Sequence, residues 1–171
     1  YMRYVLGFSV SESATVTGVF IAYNYALQLL GGYLSGRFIS HRALFMLGML
    51  AQIIGCLILS IPQSDYLFLG LSFYLTGSGL NVTCVNCMLT ELFEPTDMRR
   101  EKAFMYSYAF MNAGFFIGFS LGGYLHMMNN YPLLFMLSAI GNAMASVCIC
   151  FSWNVLADKN TIYKDRDAAQ K

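Results

Sequence analysis

Apolar residues run along this chain in long stretches, and the few charges mark where each stretch stops. Glu12 and Arg37 bracket 24 uncharged residues, Arg42 and Asp65 bracket 22, Asp65 and Glu91 bracket 25, and Lys102 and Asp158 bracket 55. A helix rising 1.5 Å per residue needs about 20 apolar residues to cross a hydrocarbon core of about 30 Å. Each of the first three stretches has the length of one crossing, and the fourth has the length of two. That fourth stretch breaks at His126-Met127-Met128-Asn129-Asn130-Tyr131-Pro132, where amides and a proline supply a turn. The pattern predicts an all-α, multi-span membrane protein with crossings at 14–36, 43–61, 67–91, 103–126 and 132–153. Residues 1–8 read as the last turns of a further crossing, and the opening on Tyr1 reads as a lost beginning. Residues 154–171 read as a polar cytoplasmic tail or the start of a linker to a second half.

Composition sharpens this picture. Charged residues make up 11% and apolar residues 57%, against about 25% charged in ordinary soluble domains. Membrane lipid is the expected environment, and a net charge of +1 gives nucleic acid nothing to attract. With crossings alternating in direction, nine of the ten lysines and arginines fall on one side, which assigns that side to the cytoplasm. The loops at 37–42 and 94–102 are then cytoplasmic, while 9–13, 62–66 and 127–131 face outward. Cys56, Cys84, Cys87, Cys148 and Cys150 all fall inside crossings. Cys84-x-x-Cys87 has no second pair at a metal-site distance, so these read as small apolar residues, with no metal and no disulfide framework.

Small residues suggest how the crossings pack. Gly114, Gly118 and Gly122 share one helix face, and Gly77-Ser78-Gly79 has the same character. Leu30-Gly31-Gly32-Tyr33-Leu34 recurs as Leu121-Gly122-Gly123-Tyr124-Leu125 at opposite ends of helices running in opposite senses. An inverted-topology repeat predicts such a pair, and transporters are commonly built on one. In the connection at 94–101, proline ends one helix and Thr96 or Asp97 caps the next.

Candidate chemistry is amide and phenol rather than charge. The crossings hold no deep ionisable side chain, no nucleophile–base pair and no phosphate loop, so an enzyme is not expected. Each crossing carries one mid-depth amide, namely Asn24, Gln52, Asn81, Asn112 and Asn142. An amide facing hydrocarbon costs several kcal/mol, so each must meet another helix or water. Interhelical hydrogen bonding is the plainest use. Where Tyr23, Tyr25, Ser78, Asn86 and Tyr108 lie at similar depth, the set Asn24, Tyr25, Asn81, Asn86, Tyr108 and Asn112 suits a cavity for a polar solute. Gln52 and Asn142 are taken as packing amides.

Several of these residues also resemble a known family. Gly77-Ser78-Gly79-Leu80, the run from Glu91 to Arg100, Ala103-Phe104 and Tyr108-x-x-x-Asn112-x-Gly114 resemble the proton-dependent oligopeptide transporters of the major facilitator superfamily. Gly31-Gly32-Tyr33-Leu34-Ser35-Gly36-Arg37 resembles the end of that family's second helix. The resemblance covers residues 1 to 153. It implies the amino-terminal half of a twelve-helix transporter, comprising the end of helix 1 and helices 2–6, in a bacterial inner (plasma) membrane. It also implies uptake of di- and tripeptides by alternating access, with the proton as coupling ion and no other cofactor. Helix 1 and a carboxyl-terminal half are then the missing partners. Tyr25 matches the family's substrate-facing tyrosine of helix 2, and Tyr108 and Asn112 match its helix 5 binding pair. Two positions depart from the family: Val82 stands where helix 4 has a lysine, and Gly36 where the first cytoplasmic loop has an aspartate. The proton-coupling motif of helix 1 falls before Tyr1. A valine gives a carboxylate no partner, so a neutral or cationic solute is the alternative substrate. A non-transporting membrane fragment or assembly subunit is the alternative outside transport.

Overall fold

The structure, a computed structural model, describes residues 2–3, 6–94, 96–159, 161–163 and 165. Five helices follow one another: α1 (Val10–Leu34), α2 (His41–Leu59), α3 (Ser64–Leu92), α4 (Arg99–Met127) and α5 (Tyr131–Phe151). Each begins before its apolar run because polar caps and first turns extend it. Ser9 and Glu12 form a reciprocal capping box on α1, Ser40 caps α2 through Ala43 N–H, and Asn130 caps α5 through Leu133 N–H. Asp97 accepts the Arg99 N–H at 2.8 Å as α4 opens. The Arg99 guanidinium and then its backbone N–H hold the Asp97 carboxyl below the usual carboxylate range. Asn129, at φ 54°, makes the left-handed step between α4 and α5, a conformation asparagine tolerates.

The described residues at the chain's start do not form the helix end expected there. Met2, Arg3 and Leu6–Ser9 are turn and irregular backbone, closed by Phe8 N–H on Met2 C=O at 3.0 Å, with Gly7 at φ 73°. Tyr1, Tyr4 and Val5 lie outside the described residues.

α3 is the axis of the bundle. α2 and α1 pack against it, and α5 packs against α2. The approach depends on glycine. A Cβ on Gly77 would stand 2.2 Å from the Gly48 carbonyl oxygen, and one on Gly55 would stand 2.6 Å from Tyr74 N. Gly79 and Gly31 do the same for α1, where a Cβ would meet Leu27 Cβ at 2.4 Å and Gly79 O at 3.2 Å. Helix backbones meet this closely only where no side chain intervenes, and in lipid such contact is a main source of association.

The stripe expected on α4 does not pack in this way. Gly114, Gly118 and Gly123 have nothing within 4 Å of an added Cβ, and Gly122 meets only Leu134 Cδ1 at 3.9 Å. Nearly every α4 residue is exposed, including Phe110, Phe116 and Phe119, and Leu125 is its buried one. Tyr131 Oη, 2.7 Å from His126 Nδ1, joins α4 to α5. The two Leu-Gly-Gly-Tyr-Leu copies are thus unlike in packing: the first has its glycine pressed on α3, whereas the second is largely uncovered apart from Leu125.

Three helices, His41–Leu59, Asp65–Leu92 and Tyr131–Phe151, are apolar and long enough to cross a membrane. α1 and α4 fall short because hydroxyls, amides and glycines interrupt their apolar positions. One core cluster, Leu44, Phe45, Cys84 and Met88, sits where α2 meets the second half of α3, and Ile149 and Leu156 close over it. This end of the bundle, its basic end, also carries Arg37, Arg42 and Arg99.

The chain after α5 does not run free. Its described residues fold back on the basic end, burying Asp158 and Thr161. Tyr163 N–H donates to Gly36 C=O at 2.9 Å. Arg42 Nη1 donates to Trp153 C=O at 2.5 Å, and its guanidinium lies 4.7 Å from the Trp153 ring centre. A charged hydrogen bond and a cation–π contact together contribute about 2 kcal/mol or more. Arg42→Ala is therefore expected to release this turn and shift Trp153 emission to the red. Trp153 is the chain's one tryptophan, so the signal is unambiguous. Unchanged emission would show that the turn holds without Arg42.

Candidate functional site

The seam between α1 and α3 carries a ladder of half-buried polar side chains in the bundle's middle. Asn24 Nδ2 donates to Ser78 Oγ at 3.1 Å, and Gln28 Nε2 donates to Asn24 Oδ1 at 2.8 Å. One turn on, Thr83 Oγ1 donates to the Gln28 carbonyl at 3.0 Å. Asn24 thus takes the interhelical role open to any membrane amide. Gln28 entered no sequence expectation, although its place four residues after Asn24 puts both on one face.

Below this ladder the seam opens into a groove of about 390 Å³, lined by Gln28, Val82, Thr83 and Asn86 and closed at the basic end by His41 and Glu91. Among the described lining residues there is no lysine or arginine. At the opposite half of the seam lies a second cavity of about 350 Å³, lined by apolar residues such as Val16, Phe20, Phe68 and Leu75, with Tyr23 at its edge.

The six expected site residues fall into three places. Asn86 lines the groove, and Asn24 stands just above it. Asn81 is 5% exposed and turned the other way, its Oδ1 filling the space over Gly48 of α2. Its amide atoms have no hydrogen-bond partner among the described residues. It is a packing residue between α2 and α3, because the same glycine that lets the helices approach leaves a slot of amide size. Tyr25, Tyr108 and Asn112 line neither cavity. Tyr25 and Tyr108 are 65% and 66% exposed, and Asn112 Nδ2 donates to the Tyr108 carbonyl on its own helix at 2.8 Å. The chain does not gather these three around one void.

A second polar cluster sits under the groove at the basic end, and no sequence signal marked it. Ser35 Oγ lies 2.5 Å from His41 Nδ1, and Glu91 Oε1 lies 3.4 Å from His41 Nε2. Asp158, 117 residues further along the chain, accepts the His41 backbone N–H at 3.2 and 3.3 Å. Thr161 Oγ1 donates to Asp158 at 3.3 Å, and Lys159 N–H donates to Glu91 Oε2 at 3.1 Å. Gly36 makes room for this. It sits at φ 73°, and a Cβ on it would stand 2.7 Å from the His41 ring. The loop aspartate that the resemblance leads one to expect at Gly36 is thus replaced by carboxylates reaching in from α3 and from beyond α5.

Comparison with known proteins agrees with this architecture. The Major Facilitator Superfamily matches residues 1–170. Among curated relatives, the chain is 28% identical over 143 residues to the peptide transporter YePEPT of Yersinia enterocolitica, covering 82% of this chain and 28% of the relative. It is 26% identical over 157 residues to dipeptide and tripeptide permease A of Proteus mirabilis, covering 90% of this chain and 32% of the relative. It spans about a third of the length of the relatives it matches. Among solved structures, a point mutant of peptide transporter POT in complex with sulfate superposes with a TM-score of 0.88 at 24% identity, covering 99% of this chain and 37% of that one. A POT family transporter in complex with 5-aminolevulinic acid superposes with a TM-score of 0.87 at 24% identity, covering 95% and 35%. The fold, an all-helical membrane bundle with α3 at its axis, and the match along nearly its whole length give one conclusion: the chain belongs to the Major Facilitator Superfamily.

Proposed function

We propose that this chain forms part of the amino-terminal helical bundle of a secondary transporter that takes up short peptides, with protons as the coupling ion and alternating access as the mechanism. The observation that carries the reading is the polar groove between α1 and α3, which runs from Gln28, just below the Asn24–Ser78 hydrogen bond, down to Glu91. Amide and hydroxyl groups lining a water-accessible seam match the hydrogen-bonding needs of a peptide backbone. The curated relatives quoted above are peptide transporters. In this reading Asn86, Asn24, Tyr25, Tyr108 and Asn112 face a cavity that helix 1 and a carboxyl-terminal half complete, which accounts for the uncovered surface of α4.

The test is uptake of a labelled dipeptide by the full-length protein in lipid vesicles. Accumulation above protein-free vesicles, suppressed by unlabelled dipeptide, is expected. Accumulation should rise when an inward proton gradient is imposed; indifference to the gradient would remove proton coupling. Absence of dipeptide uptake alongside uptake of another solute would defeat the peptide assignment.

One observation favours a second substrate class. Val82 stands in the groove wall, and Glu91 supplies a carboxylate at its end. A solute with an ammonium group and no free carboxylate fits those charges better than a zwitterionic peptide.

A further inference from the structure

We propose that His41, Glu91 and Asp158 form a binding site for one divalent transition cation of the zinc class, at the basic end of the bundle. One ligand atom from each residue lies within 4.8 Å of the other two. Ligands held at about 2.0–2.2 Å around a tetrahedral ion stand about 3.4 Å from one another, close to the His41–Glu91 separation, so the widest pair must close by up to about 1.4 Å on binding.

Orientation, charge and access favour the site. The Nδ1 side of the His41 ring is held by Ser35 Oγ, which turns Nε2 towards Glu91. A histidine ligand is ordinarily fixed in this manner through its other nitrogen. With Nδ1–H donated to Ser35, the Nε2 lone pair is presented to the space beside Glu91 Oε1, 3.4 Å away, as a metal ligand must be. With Ser35 O–H donating to Nδ1, Nε2–H faces Glu91 instead, so ion binding selects the first tautomer. The charges point the same way. Glu91 has a side chain 19% exposed and Asp158 is 8% exposed, so two carboxylates share one small, largely buried space. A divalent ion balances both. An imidazole nitrogen among carboxylate oxygens favours zinc, iron or nickel over magnesium and calcium. Access runs through the groove, which His41 and Glu91 both line.

Such an ion would tie the start of α2, the end of α3 and the segment after α5 into one unit. These residues stand 50 and 67 positions apart in sequence, so no spacing rule could have flagged them.

The experiment is calorimetric titration of the full-length protein in detergent with zinc chloride alone. Cys148 and Cys150 are replaced by serine, since exposed thiols would compete. One zinc per chain is expected, with affinity falling about tenfold or more in Glu91→Gln and in Asp158→Asn. Without any variant, zinc should raise the melting temperature and a chelator should reverse the rise. Cobalt in place of zinc should give visible d–d bands without a thiolate charge-transfer band. No heat and no melting shift, binding unaltered in both variants, or a thiolate band would each overturn the proposal.

Discussion

Gly77→Ala is expected to prevent α2 and α3 from packing and to leave the protein unable to fold stably. The added methyl group would stand 2.2 Å from Gly48 O and 2.9 Å from Gln52 N, both backbone atoms that no rotamer change can move. Overpacking that side chains can absorb costs about 1–3 kcal/mol. Here the helices themselves must separate, which also opens the contacts at Gly55 and Gly70, so the cost lies at or above the top of that range. Gly55→Ala, 2.6 Å from Tyr74 N, should behave alike. Gly118→Ala should be silent in the 171-residue chain, since nothing lies within 4 Å of its added carbon. Thermal melts and size exclusion in detergent check all three. A Gly77→Ala protein as stable as its parent would contradict the close approach of α2 and α3.

If the proposed transport function holds, Val82→Lys is expected to change which solutes are accepted. Val82 is 47% exposed and forms part of the groove wall between Gln28 and Asn86. A lysine there would place an ammonium group in a groove whose described lining holds no lysine or arginine. A charge-assisted hydrogen bond to a solute carboxylate contributes about 1.5–3 kcal/mol, which is tenfold or more in affinity. Uptake of a peptide with a free carboxyl terminus, relative to its amidated analogue, should rise by about that factor. An unchanged ratio would take this groove out of the solute's path.

The five helices were legible because hydrocarbon thickness sets a minimum apolar length for every crossing, and the charges gather at the helix ends and in the loops between them. The turn at Asn129 and Asn130 was legible for a related reason: amides and a proline punctuate an otherwise unbroken apolar run. Which glycines bring helices together was not. Gly114, Gly118 and Gly122 make the more obvious stripe, yet the glycines in contact are Gly48 and Gly55 facing Gly70 and Gly77, each pair two turns apart. Spacing identifies a face, whereas packing depends on what lies opposite. The same limit explains the polar residues. Asn24, Asn81 and Asn112 look equivalent along the chain, but one bridges two helices, one fills a slot over Gly48, and one bonds to its own helix. The cluster at His41, Glu91 and Asp158 was unreadable because nothing local links three residues so far apart.

The long reach of Asp158 has a consequence for how the protein is made. α2 leaves the ribosome with the His41 N–H bare, and the carboxylate that receives it is translated 117 residues later. At about 5–20 residues per second, that interval is roughly 6–23 s. During it, α2 and α3 must already be inserted while their shared terminus waits, and the closing segment arrives only after α5 has threaded. A misoriented last helix would deliver Asp158 to the wrong side of the bilayer and leave the terminus of α2 without its cap.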